Sequence, residues 1–520
     1  MTASWDCIIV GGGHNGLVCA AYLARAGRSV LVLEARSTVG GAAVTREFAP
    51  GFKVSAGAHH LGQFPREIIT ALQLERHGLK FAGRALPTVA LAGGGSPLSL
   101  DEPGLRAAGN PDAQALPAFL AQMHRFAAVL YGVLDAPPPR LGTGALKDTL
   151  SLLRLGWRLR RLGRRDMREL LRIGGMNAYD LLQEHFRSDA VQGAFALDST
   201  LGSNAGPRTP GTVLTLLYRL ACEGAAGRDS RLVLGGLGGL ADALANAARA
   251  AGATVRVDSP VAGILVEQDR AVGVRLADGE ELRARTIISN ADPKTTFLDL
   301  LGARHLDTGF VRSIRHLRNR GLAAKLHLAL DAEPVFAGLA RDLLGARLLV
   351  APSMDAVELA YNHSKYGEFS EAPVLEISVP SAADPGLAPA GRHVLSAVVQ
   401  YAPHGLRGGW TAGARQVFTD RIIATLERVA PGIRGLVRSA QLLVPEDIER
   451  EFGIRGGHWH HAEFAFDQFF MVRPVPGAAQ YATPLAGLRL CGAGSHPGGG
   501  VTGLPGRNAA RRLLEEGASR

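Results

Sequence analysis

The sequence predicts an α/β protein in which one domain, built on a parallel sheet, is assembled from separated stretches of chain. A β-prone run at 6–10 leads through three glycines into a segment with helical spacing, and a second β-prone run follows at 30–33. Another glycine-rich segment lies at 491–507, near the other end of the chain. A strand, a helix and a strand in this order form a βαβ unit, which implies a parallel sheet.

The composition excludes several classes of protein. With 47% hydrophobic and 20% charged residues among 520, the chain is too apolar for disorder and long enough for roughly two to three domains. A net charge of +10 favours nucleic acid or acidic membranes as partners, but nothing in the chain indicates base stacking or groove reading, so we expect no nucleic-acid partner. The four cysteines lie far apart, which indicates neither a zinc knuckle nor a redox dithiol.

No targeting or membrane-spanning segment is expected from the sequence. The first apolar run has neither a basic region before it nor a cleavage site of small residues. No uninterrupted apolar stretch reaches the roughly 18–20 residues that span a bilayer. We therefore expect a cytoplasmic protein.

The first glycine-rich turn has the spacing of a dinucleotide-binding loop. In Gly11, Gly13 and Gly16, the first glycine makes the turn, the second lets the backbone approach a pyrophosphate, and the third packs helix on strand. The following helix offers its free N–H groups to the anion. Glu34 closes the second strand, where an acid accepts hydrogen bonds from the adenosine ribose.

Two further glycine segments favour FAD over NAD. Gly40 and Gly41 follow the ribose acid where FAD enzymes of the glutathione-reductase type carry a Gly-Gly pair. The segment 491–507 has the pattern of a strand end, a glycine loop and a helix start, which can aim N–H groups at the flavin N1/C2 carbonyl. We expect FAD to be bound by Gly11, Gly13, His14, Asn15, Gly16, Glu34, Ala35, Gly40, Gly41, Ala42, Val261, Gly494, Gly500, Val501 and Thr502.

A second α/β patch, at 235–288, completes the nucleotide domain. The predicted fold class is therefore α/β, with a Rossmann-like FAD-binding domain of the glutathione-reductase type and a discontinuous α+β substrate domain. The FAD-binding domain is expected from 1–81, 231–300 and 486–520, and the substrate domain from 82–230 and 301–485.

Several blocks resemble a known family. Residues 11–41 and 491–507 are similar to the phytoene-desaturase-type carotenoid dehydrogenases, within the flavin amine oxidase superfamily. Residues 40–45 and 456–461 resemble more closely the branch called pyridine nucleotide-disulphide oxidoreductase domain-containing proteins. The resemblance spans the whole chain and implies an FAD-dependent oxidoreductase. Many relatives carry Arg where this chain has Ala42, which leaves open what contacts the pyrophosphate there.

The resemblance also indicates candidate catalytic residues. The segment 52–62 is similar to the superfamily stretch that passes beside the flavin ring, which makes His59 and His60 ring neighbours or proton carriers. The alternative is that these two polar residues only shape a loop.

A lysine lies in a strand-like segment of the expected substrate domain. Alternation over 322–330 predicts a strand with Lys325, His327 and Ala329 on one face. Lys325 resembles the amine oxidase lysine that holds a water against flavin N5, where it would place water or dioxygen and favour reoxidation. A solvated strand lysine is the alternative.

Three histidines, His458, His460 and His461, are concentrated in one short segment. His458 would be catalytic if the segment lines the substrate cavity; structural hydrogen bonding and metal ligation are the alternatives. Only His458 and His460 would share a strand face, and the resemblance carries no metal, so we predict no metal site.

The segment 150–172 is basic and amphipathic. Arginines at 154, 158, 161, 165, 168 and 172 form one helical stripe, and leucines at 152, 155, 159 and 162 form another. The segment therefore predicts either peripheral membrane contact or a solvated helix whose leucine stripe packs on the core.

The leading functional hypothesis is a desaturase or dehydrogenase that removes hydride from a hydrophobic, carotenoid- or lipid-like substrate to flavin N5. Dioxygen or a quinone would accept the electrons. An amine or imine oxidase using Lys325 is the second hypothesis, and a non-catalytic FAD-dependent interaction protein is the third.

Overall fold

The computed structural model describes residues 5–85, 87–91, 96–140, 145–228 and 230–518. The strands are β1 Trp5–Val10, β2 Val30–Leu33, β3 Thr45–Ala49, β4 Phe52–Ser55, β5 Phe81–Ala82, β6 Thr88–Ala90, β7 Leu98–Ser99, β8 Leu232–Val233, β9 Thr254–Arg256, β10 Val261–Glu267, β11 Arg270–Leu276, β12 Glu281–Ser289, β13 Ala323–Leu330, β14 Arg347–Val350, β15 Val374–Ser378, β16 His393–Gln400, β17 Val437–Leu443 and β18 Leu488–Leu490. The α-helices are α1 His14–Arg25, α2 Arg66–Ala71, α3 Glu102–Ala107, α4 Ala115–Leu134, α5 Leu146–Arg161, α6 Gly163–Ile173, α7 Ala178–His185, α8 Asp189–Thr200, α9 Thr212–Ala225, α10 Gly238–Ala250, α11 Thr308–Arg315, α12 Met354–Lys365, α13 Ala412–Glu427, α14 Ile433–Leu436, α15 Pro445–Phe452 and α16 Leu504–Ala518.

The first sheet is parallel at its centre. β18, β12, β1, β2 and β9 lie side by side in this order, and the antiparallel hairpin β10–β11 extends the N-terminal half of β12. All of these strands fall within 1–81, 231–300 and 486–520, the stretches expected to form the FAD-binding domain. The boundaries of the two domains remain a prediction.

Helix α1 covers this sheet because one of its faces is made of small and aliphatic residues. Leu17, Cys19, Ala20 and Ala21 are fully buried, and α1 packs against both α10 and α16. Small side chains let the three helices approach closely, and burying a residue such as Leu17 contributes about 2 kcal/mol. The beginning of α1 is thereby held rigidly over the ends of β1 and β2. The final helix, α16, begins at Leu504 and therefore starts within the glycine-rich segment 491–507.

The second sheet is mostly antiparallel and has the order β17, β13, β16, β15, β14, β6, β7. All eight residues of β13 are buried. One face of β13 enters an apolar core that includes Leu326 and Leu328, and on the other face Ala329 packs against Val54 of β4. Because both faces are covered, the alternative of a solvated Lys325 is wrong: this side chain is 2% exposed.

The basic segment 150–172 is two helices, not the single predicted helix. Gly163 has a φ of +82°, a conformation that ends one helix and starts the next. The arginine stripe is therefore interrupted after Arg161. The leucines at 152, 155, 159 and 162 are half-buried, so this stripe contacts the core only in part. The apolar side chains that face solvent form a different stripe, namely Leu146, Leu150, Leu153 and Trp157.

Candidate active site

The turn between β1 and α1 has the shape that a pyrophosphate requires. Gly11 has a φ of +98°, and a Cβ on Gly16 would lie 2.3 Å from the Gly11 carbonyl oxygen. The first hydrogen bond of α1 runs from the Leu17 N–H to the Gly13 carbonyl, and no side chain caps this helix end. The amides at the start of α1 are therefore available to an anion.

Glu34 lies directly beneath this turn. One oxygen, Oε2, accepts a hydrogen bond of 2.8 Å from the Gly12 N–H, and Oε1 accepts one of 3.0 Å from the Arg36 N–H. The side chain is buried at the carboxyl end of β2, where the ribose of a dinucleotide is expected. Ala35, the next residue, is exposed, and Val261 begins β10 and is half-buried.

The Gly40–Gly41 pair runs beside the same turn. Gly40 and Gly41 have φ values of +118° and +62°, and the Gly40 N–H donates to the Gly12 carbonyl at 2.8 Å. A Cβ on Gly41 would lie 3.4 Å from Gly13 Cα. Ala42 is half-buried and packs against the apolar side of α15, so this position supplies no charge to a pyrophosphate.

The C-terminal glycine loop meets the first loop. His14 Nε2 lies 3.2 Å from the Gly500 carbonyl oxygen. Thr502 is fully buried, and its Oγ1 accepts from the Leu504 N–H at 3.3 Å, which caps the first turn of α16. Val501 is half-buried beside it. The predicted first and last glycine segments are therefore neighbours in space.

A third segment, 57–64, lies between these loops and carries both candidate histidines. A Cβ on Gly57 would lie 2.7 Å from the Ala42 carbonyl oxygen, and a Cβ on Gly500 would lie 2.8 Å from Gln63 Oε1. His59 and His60 lie between these two contacts. Their rings are 6.2 Å apart and nearly perpendicular.

His59 pairs with Lys325, the strand lysine of β13. The distance from Lys325 Nζ to His59 Nδ1 is 2.7 Å, and the two side chains are almost completely buried. Burial holds the pKa of Lys325 well below its usual value, although Glu376 opposes this shift. Burial and then the neighbouring Lys325 hold the pKa of His59 well below its usual value. The structure therefore brings two buried basic side chains into direct contact, and burial disfavours the charged form of each.

His60 lines a cavity of about 310 Å³, which is also lined by Arg84, Ser230 and Asp342. Neither ring nitrogen has a hydrogen-bond partner among the described residues. Burial lowers the pKa of His60 to about 4. His60 is therefore uncharged at neutral pH.

The histidine segment 456–461 packs on the C-terminal loop. A Cβ on Gly499 would lie 2.5 Å from His460 Cα, and a Cβ on Gly494 would lie 3.4 Å from His461 Cβ. His458 Nε2 lies 2.9 Å from Glu463 Oε1. Within the described part of the chain, no three His, Cys, Asp or Glu side chains form a group that could hold a metal ion.

Sequence reasoning missed a buried arginine that fixes this segment. Arg473 is fully buried and donates hydrogen bonds to the carbonyl oxygens of His460, of Glu463 at 3.1 Å and of Ala493 at 3.0 Å. Its guanidinium also lies over the ring of Phe464. It thus ties the histidine segment to the cofactor loop. A single arginine among apolar residues before Pro474 gives no local signal for this role.

The residues present fit FAD. The glycines of the first and last glycine-rich loops have no side chains that would keep a cofactor away from the backbone. No side chain caps the start of α1, so its amides are available to the pyrophosphate. Asn15, which is 3% exposed, has an Oδ1 without a partner among the described residues. The fold and the site together define an FAD-dependent oxidoreductase. The chain belongs to the flavin containing amine oxidoreductase family, whose family model matches residues 16–514.

Individual relatives agree with this assignment. The chain is 35% identical to pyridine nucleotide-disulfide oxidoreductase domain-containing protein 2 of Mus musculus, over 98% of this chain and 94% of the mouse protein. It is 26% identical to one of the subunits of limonene dehydrogenase of Castellaniella defragrans, over 98% and 94%. It is 28% identical to a phytoene desaturase of Cereibacter sphaeroides, over 55% and 54%. The resemblance drawn from the sequence blocks is therefore confirmed, as is FAD as the cofactor.

The solved structures support the fold. Cyclohexylamine oxidase from Brevibacterium oxydans superposes with a TM-score of 0.60 and 17% identity, over the full length of both chains. The predicted α/β class with a Rossmann-like FAD-binding fold is confirmed.

Proposed function

We propose that this protein dehydrogenates an uncharged, hydrophobic substrate. One observation carries the proposal: Lys325 Nζ and His59 Nδ1 are buried and lie 2.7 Å apart. His59 belongs to the segment 57–64, which lies between the two cofactor loops. FAD, when bound, accepts the hydride and stores the two electrons. Forming a C=C bond also releases a proton from the neighbouring carbon, and the Lys325–His59 pair accepts it.

The surroundings of the site are apolar and aromatic. Tyr218 and Phe464 have ring centroids 4.6 Å apart, and Phe469 packs on both. Tyr218 donates a hydrogen bond of 2.8 Å to the Gly499 carbonyl oxygen, which places this aromatic cluster against the C-terminal loop. The names of two relatives, a limonene dehydrogenase and a phytoene desaturase, support a hydrocarbon substrate.

An amine or imine oxidase is the second candidate. The observation that favours it is the same buried Lys325. Burial lowers the pKa of this lysine, and a lysine amine in its neutral form can accept a proton from an amine nitrogen as well as from carbon. In this alternative Lys325 positions a water or dioxygen. For either substrate class we propose dioxygen or a quinone as the electron acceptor.

An anaerobic substrate screen separates the candidates. Protein loaded with FAD is mixed with monoterpenes, carotenoids, and primary and secondary amines, and the flavin absorbance near 450 nm is followed. We expect bleaching by an unsaturated hydrocarbon class and formation of a product with one more C=C bond. Bleaching by amines alone supports the second candidate. A preparation that does not take up FAD contradicts both.

We also propose that α5 and α6 contact a membrane surface. The stretch 146–173 carries nine basic and three acidic residues, and Leu153 and Trp157 are 63% and 58% exposed. The guanidinium of Arg161 lies 4.6 Å from the centroid of the Trp157 ring. Apolar side chains beside arginines match the interface of an anionic bilayer. No helix in the described ranges is both long and apolar enough to cross a membrane.

A further inference from the structure

A series of buried charges extends from the Lys325–His59 pair into the second sheet. Glu376 Oε1 on β15 lies 3.9 Å from His59 Nε2. Glu376 Oε2 accepts a hydrogen bond of 2.6 Å from Arg347 Nε on β14. Arg347 in turn donates from its Nη1 to Asp198 Oδ2 on α8, at 3.3 Å. Three structural elements therefore supply a fixed, alternating series of charges behind the pair.

The outer end of the series is held by α9. Arg219 Nε lies 3.6 Å from Asp198 Oδ1 and 2.8 Å from Glu223 Oε1. Exposure increases outwards: the side chain of Arg347 is 5% exposed, that of Asp198 is 13% exposed and that of Glu223 is 27% exposed. The inner carboxylate, Glu376, thus has its ionic partners within the protein.

Glu376 remains ionised although it is buried. Burial alone would raise its pKa, but Arg347 and then Arg219 hold the pKa of Glu376 well below its usual value. The same carboxylate opposes the effect of burial on both members of the pair, because it raises the pKa of Lys325 and of His59. Such long-range influence is expected in an interior that screens charges weakly.

We propose that Glu376, fixed by Arg347 and Asp198, is a positioning residue whose negative charge balances a proton carried by the Lys325–His59 pair. This inference rests on the proposed function, in which the pair accepts the proton released by the substrate. Without a fixed counter-charge, a protonated pair at this buried position would be strongly unfavourable. The residues whose charges face the pair or its neighbours are His60, His327, Glu376, Arg347, Arg219 and Arg46.

The test uses reoxidation of the flavin, which needs no known substrate. FAD-loaded protein is reduced with dithionite and mixed with dioxygen, and the rate of recovery of the 450 nm absorbance is measured from pH 5 to pH 10. In Glu376→Gln, loss of the negative charge disfavours the protonated pair. We expect the midpoint of the pH–rate profile to fall by about one pH unit or more, and the pH-dependent change in the oxidised flavin spectrum to move with it.

Matched variants distinguish positioning from general damage to the fold. Glu376→Asp retains the charge and is expected to return the midpoint towards that of the wild type. Glu333→Gln removes a carboxylate from an exposed ion pair with Arg341 and is expected to leave the midpoint unchanged. If Glu376→Gln does not fold, Asp198→Asn is expected to shift the midpoint in the same direction by a smaller amount.

Two outcomes overturn the inference. Profiles of Glu376→Gln and Asp198→Asn that coincide with the wild-type profile mean that the network is only structural. A midpoint that persists in Lys325→Met means that the pair is not the titrating group. Neither outcome decides the substrate screen, so failure of this inference is distinguishable from failure of the proposed function.

Discussion

Lys325 Nζ lies 2.7 Å from His59 Nδ1, although the two residues are 266 residues apart in the chain. Lys325 is fixed by β13, which is paired on both sides with β16 and β17. His59 is fixed by the segment after β4, which packs against the Gly40–Gly41 turn. The Lys325–His59 contact therefore forms only when β13 and the segment after β4 are folded and packed together.

Replacing this lysine is the most direct test of its role. In Lys325→Met we expect FAD to bind normally and reoxidation of the reduced flavin by dioxygen to slow by about 100-fold. Reduction of dioxygen to hydrogen peroxide takes up a proton, and the variant lacks the amine that would carry this proton. Stopped-flow absorbance at 450 nm measures this rate. Lys80→Met, which changes an exposed lysine, is the matched control. Equal rates of flavin reduction and reoxidation in the wild type and Lys325→Met would show that the lysine has no catalytic role.

The glycine turn predicts a specific loss of cofactor binding. In Gly16→Ala the new Cβ would lie 2.3 Å from the Gly11 carbonyl oxygen, so the start of α1 must move away from the turn. We expect the Kd for FAD to rise at least about tenfold, which corresponds to roughly 1.4 kcal/mol. Fluorescence quenching of added FAD measures the affinity. Gly156→Ala adds a methyl group where no atom lies within 4 Å, and unchanged affinity is expected there.

The cofactor site was predictable because its signals are local. The turn at Gly11–Gly16 and the acid at Glu34 belong to one βαβ unit, and each residue type is dictated by backbone geometry. The buried charges were not predictable in the same way. Glu376 and Arg347 are adjacent only because β14 and β15 are neighbours in the sheet, an order that strand patterns do not encode. A lone charge within an apolar strand is the signal that both share.

The amphipathic segment 150–172 shows a second limit of prediction from the sequence. Its sequence contains two apolar stripes, and the helical spacing cannot decide which of them faces the protein. The leucines at 152, 155 and 159 are half-buried, whereas the stripe that contains Leu153 and Trp157 is exposed. The contact of α5 with α4 makes this choice, and the positive φ of Gly163 divides the segment.

Buried histidines make stability fall with acidity. His496 is fully buried, its Nε2 lies 3.1 Å from the Val133 carbonyl oxygen, and burial lowers its pKa from 6.5 to about 4. Between these two pH values the unfolded chain binds a proton that the folded protein does not. The contribution of His496 to stability is therefore present above about pH 6.5 and is lost as the pH falls towards 4.

The variant His496→Gln removes this proton uptake. We expect the unfolding free energy of this variant to fall less steeply between pH 6.5 and pH 4.5 than that of the wild type, by about 1.4 kcal/mol per pH unit. The Tm of the variant should therefore also depend less on pH. Differential scanning fluorimetry across this range provides the measurement. His316→Gln, at an exposed position, should retain the wild-type slope. A slope in His496→Gln identical to that of the wild type would refute the assignment.

The exposed stripe on α5 predicts binding to anionic membranes. Neutralising Arg154, Arg158, Arg161 and Arg165 to Gln removes attraction to the headgroups, worth about 1 kcal/mol for each charge near the surface. We expect co-sedimentation with phosphatidylglycerol vesicles to fall at least tenfold, and to weaken in the wild type when salt is raised.

Leu153→Ser combined with Trp157→Ser tests the apolar part of the contact. Neutral phosphatidylcholine vesicles are the lipid control. Substitution of Arg407 and Arg438, which are exposed outside α5 and α6, is the control for loss of positive charge elsewhere on the surface. Binding that is absent in the wild type, or equally reduced by the control substitutions, would exclude α5 as a membrane-contact surface.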